Sequence, residues 1–222
     1  MLKWLGHSAF ELNTSNKMLL IDPWISNPNS PAKVKDYYNA DYLIVTHDHS
    51  DHLGDAVEIS RNSGAPIIAV FELANFLNES EKVKTIGMNI GGPLKLTSSL
   101  SVFLTQAFHS STHGAPTGTI VKTDTATIYH AGDTGLFGDM KLIGQVYKPD
   151  IMLIPIGGFF TMNPEQAAIA VQMVSPKIAI PMHYDTFEAI KQDPLEFARI
   201  AKGLSPGTEV VVLKPGESIE LR

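Results

Sequence analysis

The chain alternates short β-branched apolar blocks with polar connections carrying Gly and Pro, a rhythm that predicts an α/β protein. Leu2 to Leu5, Ser8 to Leu12 and Met18 to Ile21 read as three strands, separated by Gly6-His7 and by the turn Asn13-Thr14-Ser15-Asn16. Trp24 to Tyr38 mixes Pro, Asn and Ser without a helical period and is expected to be a surface loop, with a short helix near Lys33 to Tyr37. Leu43-Ile44-Val45 reads as a buried strand, Asp55 to Asn62 as a helix closed by Gly64, Pro66 to Val70 as a strand and Glu72 to Asn78 as a helix. Strands follow near Leu94-Lys95-Leu96 and from Val102 to Phe108, then a hairpin of Thr119 to Thr123 with Thr127 to Tyr129. Ile151 to Ile156 is a strand, and Asn163 caps a helix with Pro164 in its first turn. Ile178 to Pro181 is a strand leading to His183, and Asp193-Pro194 opens a helix that stops at Gly203. Glu209 to Leu213 and Ser218 to Leu221 are expected to close the chain as a hairpin through Lys214-Pro215-Gly216-Glu217.

Chemistry concentrates in Asp41 to Asp55, where His47, His49, Asp51 and His52 follow an apolar strand and precede a helix expected to open at Gly54-Asp55. In extended chain, side chains two apart point the same way, so His47 and His49 converge on one ion. Asp51 and His52 diverge from that pair as the chain turns, which suggests a second ion beside the first. A solvated polar loop is the bland reading, and this density of ligand side chains argues against it.

The string Thr46 to His52, of the form T-H-x-H-x-D-H, resembles the signature of the metallo-β-lactamase-fold hydrolases. Asp22 in LLIDP, Asp133 in YHAGDT and His183 in IPMHYD resemble that superfamily's other motifs, so the resemblance runs from Met1 to Arg222. WLGHSAF, AGDTGL and PIGGFFTM are similar to a branch of small metal-dependent hydrolases akin to the sugar-lactone-phosphate lactonases. The resemblance implies an α/β (α+β) fold, a four-layer αβ/βα sandwich of metallo-β-lactamase type, with a dinuclear centre. On that pattern His47, His49 and His109 hold one ion, Asp51, His52 and His183 the other, and Asp133 bridges them.

Composition narrows the reading. With 222 residues and 44% hydrophobic content, one domain spanning residues 1–222 is expected. No apolar run approaches a membrane helix and no leader pattern opens the chain, so the expectation is a soluble protein of the cytoplasm. The absence of cysteine leaves only nitrogen and oxygen donors. Zinc is favoured, and manganese, iron and nickel suit the same donors. A net charge of −6 argues against nucleic acid as a partner, leaving a small-molecule substrate; a homo-oligomer is compatible with everything above.

Asp22 is expected to orient a ligand histidine through the ring's far nitrogen. His7 either faces the site or is a hydrogen-bonded surface residue, and His130 reads as a core histidine supporting the site from behind. His113, four residues beyond His109, is placed at the pocket mouth on a flexible loop, because Ser110-Ser111-Thr112 and Gly114-Ala115-Pro116 oppose a helix. Phe159, Phe160 and Met162 line either the pocket or the core, and their types favour the core. The expected chemistry is attack by a metal-bridging hydroxide on a small lactone or ester, with Tyr184 or Asp51 as proton donor. A phosphodiester or phosphonate is the second substrate class. A di-iron oxidoreductase and a non-enzymatic interaction module are further alternatives, disfavoured by His49, by the lack of a flavin domain and by seven intact ligand positions.

Overall fold

A computed structural model describes residues 1–14 and 16–221; Ser15, inside the expected Asn13–Asn16 turn, and Arg222 lie outside the described residues. The chain divides into two compact units, residues 1–90 with 110–116 and 214–221, and residues 91–109 with 117–213.

In the first unit, β1 (Leu2–Trp4), β2 (Phe10–Asn13) and β3 (Met18–Ile21) form an antiparallel meander, and β4 (Tyr42–Ile44), β5 (Ile67–Val70) and β6 (Thr85–Met88) extend it as parallel strands. The helices are α1 (Ser50–Leu53), α2 (Ala56–Ser63) and α3 (Phe71–Glu81), with a 3-10 turn over Val34–Tyr37. All four residues of β5 are buried, as two-sided coverage of a parallel strand requires.

The second unit repeats the plan. β7 (Leu94–Lys95), β8 (Ser101–Gln106), β9 (Thr117–Lys122) and β10 (Thr127–His130) are antiparallel, and β11 (Ile151–Pro155), β12 (Ile178–Met182) and β13 (Glu209–Val210) continue in parallel. Its helices are α4 (Met140–Tyr147), α5 (Pro164–Val174) and α6 (Pro194–Leu204). Asn163 caps α5 by accepting from the Gln166 amide at 3.0 Å, and Asp193 caps α6 by accepting from Leu195 at 2.8 Å, both with Pro behind the cap as expected. Among the described residues each sheet has seven strands, the seventh of the first being β14 (Ser218–Ile219), which pairs antiparallel with β1.

That last pairing corrects the terminal hairpin. The turn forms, with Glu217 N–H donating to Lys214 O at 2.9 Å, but β13 bonds to β12 and β14 to β1, in different sheets. A turn signature reports that the chain reverses, not which edge each arm will join.

Candidate metal centre

Within the first sheet, β1, β3 and β4 run the same way, so the connections carrying His7, Asp22 and His47 leave from one end. The chain past β4 bends at Thr46, and His47 Nε2 comes to 3.0 Å from Nδ1 of His49, whose own backbone is extended. Two nitrogens bound at about 2.0–2.1 Å to one zinc ion stand roughly that far apart. A single helical turn, α1, follows with His49 as its N-cap, ahead of α2, which opens at the expected place with Asp55 as its N-cap. The α1 turn does not carry His52 away from the first pair as expected: the His52 ring lies beside His47 with centroids 4.2 Å apart, nearer than the 4.5 Å between His47 and His49. Gly54 ends α1 at φ +44°, where a Cβ would stand 2.5 Å from Trp24 Cα.

Behind these residues lies fully buried Asp22, itself at φ +46°. Its Oδ1 accepts from the Thr46 amide at 2.8 Å, and its Oδ2 meets Thr46 Oγ1 at 2.8 Å and His52 Nδ1 at 2.7 Å. Thr46 Oγ1 is also 3.0 Å from His47 Nδ1. With the threonine hydroxyl donating to Asp22, its oxygen accepts from His47 Nδ1–H, so one carboxylate sets the tautomer of two rings and makes Nε2 the lone-pair nitrogen of each.

His7 is buried, not a surface histidine, and its Nε2 lies 3.0 Å from Asp51 Oδ2. The Trp4 indole donates to His7 O at 2.9 Å and the Trp24 ring packs edge-on at 5.3 Å, holding a backbone at φ +51°. His7, Asp51 and His52 each offer an atom within 4.8 Å of the others.

Asp48 stands between His47 and His49 at a position the T-H-x-H-x-D-H string leaves open. Its carboxylate accepts from Ser111 Oγ at 2.9 Å, from the Thr112 and His113 amides at 2.8 and 2.9 Å, and from His113 Nδ1 at 2.7 Å. Burial alone would raise the Asp48 pKa, but these donors together hold it below the usual carboxylate range. The His113 ring also stacks on Phe76, centroids 3.7 Å apart. The residue is therefore anchored where the sequence suggests a loose loop.

The second unit carries its own cluster. Asp133 Oδ2 lies 2.9 Å from His183 Nε2 and 3.5 Å from His109 Nε2, so two rings from different loops converge on one buried oxygen. Asp133 leaves β10 through Gly132, whose amide donates to Nδ1 of buried His130 at 3.1 Å; His130 thus shapes the turn behind the carboxylate. Thr134 ties this loop to its neighbour, accepting from the Phe108 amide at 2.9 Å. Burial, then the charge of Asp185, pushes the Tyr184 phenol up to about 12, so it stays protonated at neutral pH. Met162 is buried, whereas Phe159 and Phe160 are exposed, which corrects the core reading for the two rings.

Both clusters offer imidazole and carboxylate, the donor set of a divalent cation, and their supporting hydrogen bonds turn ligand atoms together. Residues 17–184 match the β-lactamase superfamily domain. A UPF0173 metal-dependent hydrolase from Caldivirga maquilingensis is 56% identical over 221 residues, 99% of this chain and 97% of its own. The chain belongs to this family. Another UPF0173 metal-dependent hydrolase, from Staphylothermus marinus, is 54% identical and covers 98% of this chain and 97% of its own. Among solved structures, the metallo hydrolase Igni18 from Ignicoccus hospitalis matches with a TM-score of 0.93 and 42% identity, covering 98% of this chain and 96% of its own. The UPF0173 member described here therefore has the α/β metallo-β-lactamase fold, two mixed sheets flanked by helices. Among its described residues no helix is long and apolar enough to cross a membrane.

Proposed function

We propose that the protein hydrolyses a small-molecule lactone or ester with two divalent ions, zinc by preference. His47, His49 and His109 are assigned to one ion, Asp51, His52 and His183 to the other, and Asp133 to both. The observation that carries this reading is the approach of His47 Nε2 and His49 Nδ1 to 3.0 Å, on a loop whose rings are oriented from behind by Asp22 and Thr46. Membership of a family of metal-dependent hydrolases supports it. Bound ions at such a centre supply Lewis acidity, lowering the pKa of a water towards about 7 and polarising the scissile carbonyl.

The chain's own residues do the rest. Asp22 holds protons on the Nδ1 side of the imidazoles, His7 bonds to Asp51, and Asp48 fixes residues 111–113. Tyr184, neutral at physiological pH, supplies a hydrogen bond to a carbonyl or leaving-group oxygen; Asp51 is the alternative donor. A phosphodiester or phosphonate remains the second substrate class, and a cytoplasmic location accords with the composition.

Elemental analysis of protein purified without added metal, with a panel of lactones, esters and phosphodiesters, tests the assignment. Two ions per chain and carboxylic ester or lactone turnover are expected. One ion at saturation with full activity would overturn the dinuclear centre, and oxygen consumption faster than any hydrolysis would move the protein among the oxidoreductases.

A further inference from the structure

In the second sheet β8, β10, β11 and β12 all point the same way, so the loops that follow them emerge from one end. Three of these loops carry His109, Asp133 and His183, and each of the four also carries phenylalanine outside the core. Phe108 precedes His109 and is 64% exposed; Phe159 and Phe160, after β11, are 84% and 53% exposed; Phe187, after His183, is 43% exposed. Phe137 follows Asp133 and packs on Phe108 with ring centroids 5.0 Å apart, while Phe159 meets Phe160 edge-on at 4.6 Å. The loops are laced together. Gly135 N–H donates to Phe108 O at 3.1 Å, Met162 N–H to Thr134 O at 3.1 Å and the Gln192 amide to Gly157 O at 3.3 Å.

Backbone conformation singles out the same place. Eight non-glycine residues among those described have positive φ. Lys82, Lys148 and Ser175 are C-caps of α3, α4 and α5, where such a φ is ordinary. The other five are His7, Asp22, His183, its neighbour Asp185, and Phe159 at φ +55°. An aromatic side chain held in this strained region and almost wholly in water contributes little apolar burial to the fold, and strain of this kind collects where function requires it.

Charge decides what these rings meet. Residues 107–110, 131–139, 156–163 and 183–190 contain no Lys or Arg, and Lys191, at the far end of the last loop, is the one basic residue the four loops carry, so no lysine or arginine flanks the rings themselves to favour an anionic group against them. We infer that this aromatic collar binds an uncharged apolar portion of the substrate, an alkyl or aryl group on the ester or lactone. This rests on the hydrolytic reading above and names the substrate class within it.

The test uses the metal-loaded full chain with 4-nitrophenyl esters of acetate, butyrate, hexanoate and octanoate, alongside calorimetric binding of the four free carboxylates. Burying one methylene is equivalent to about fourfold in affinity, and a partly open collar should realise roughly two- to fourfold per methylene in kcat/KM. The double variant Phe159→Gly, Phe160→Ala should flatten that slope; both side chains are exposed, so folding does not depend on them. If no ester is turned over but carboxylate affinity rises with length and falls in the variant, the hydrolytic reading fails and the collar stands. Ester turnover indifferent to chain length, with all carboxylates bound alike, overturns the collar and leaves the hydrolase. Self-association abolished by the variant, without any length dependence, also overturns it by assigning the rings to a second copy of the chain.

Discussion

Asp22 Oδ2 lies 2.7 Å from His52 Nδ1 while the other oxygen of the same carboxylate accepts from the Thr46 amide. Asn fits the left-handed backbone at this position and keeps one acceptor for Thr46. With a single oxygen, however, it cannot accept from the Thr46 amide on one side and from His52 Nδ1–H and the threonine hydroxyl on the other, so one set of donors is left facing its NH2. Asp22→Asn is therefore expected to weaken metal affinity by about 10–100-fold, as loss of an orienting partner does elsewhere. Asp22→Ala should also destabilise the fold by roughly 1–3 kcal/mol through unsatisfied buried donors. Chelator competition measures the first effect and chemical denaturation the second; unchanged metal affinity in the Asn variant would show that Asp22 only caps a turn.

The legible parts of this molecule are those whose signal is local. β4 and the histidine-rich loop could be read because a buried strand and its ligand spacing lie within one short stretch, and α5 and α6 because Asn163-Pro164 and Asp193-Pro194 announce a helix start. α4 passed unread: Asp139 makes no capping bond, and Gly144 interrupts the helical pattern. The pairing of β14 carries no local signal, because its edge is set by a partner more than 200 residues away in sequence. In the site, His7 was ambiguous because its burial comes from Trp4 and Trp24, and Asp48 was invisible until residues 111–113 supplied its donors.

Gly144 offers a test of packing away from the ligands. A Cβ there would stand 2.4 Å from Val174 O and 2.8 Å from Val174 Cα, on the backbone at the end of α5. Alanine is better than glycine inside a helix by about 1 kcal/mol, but a backbone obstacle cannot rotate aside. Overpacking of this kind costs roughly 1–3 kcal/mol, so Gly144→Ala should be destabilising on balance. Thermal melts should place the variant below the parent; a higher Tm would mean that α4 shifts freely on α5.

Asp150 links stability to pH. It accepts from the Thr127 amide at 2.8 Å and pairs with Lys177 Nζ at 2.7 Å. Burial raises its pKa, but the Lys177 ammonium and the Thr127 amide outweigh that and hold it below the ordinary carboxylate value. A group depressed in the folded state stabilises it fully above the unfolded pKa, about 3.9, and the contribution fades as pH falls through the folded value. Lys177 is mostly in solvent, so the effect is small. Asp150→Asn should be less stable than the parent near neutral pH, with the difference shrinking towards about pH 3. A difference constant from about pH 7 to about pH 3 would remove the ionised carboxylate from the explanation.

His109 and His113 share a spacing that on a helix would put both rings on one face, but no helix forms between them. His109 Nε2 lies 3.5 Å from Asp133 Oδ2, beside His183, whereas His113 is claimed by Asp48 through both its amide and its ring. The same Asp48 carboxylate takes the Ser111 hydroxyl and the Thr112 amide, so the segment after His109 is tied down four times by one side chain. His113 thus has a structural partner for its Nδ1 and an aromatic partner for its face, while His109 points at the residue assigned to both ions. His109→Ala is expected to lose one ion and nearly all turnover. His113→Ala should keep both ions at the cost of about 1 kcal/mol of stability from the lost hydrogen bond, with a change in KM larger than that in kcat. Metal content of the two variants decides between them; an ion lost from His113→Ala and retained in His109→Ala would reverse the assignment and make Asp48 the support of a ligand.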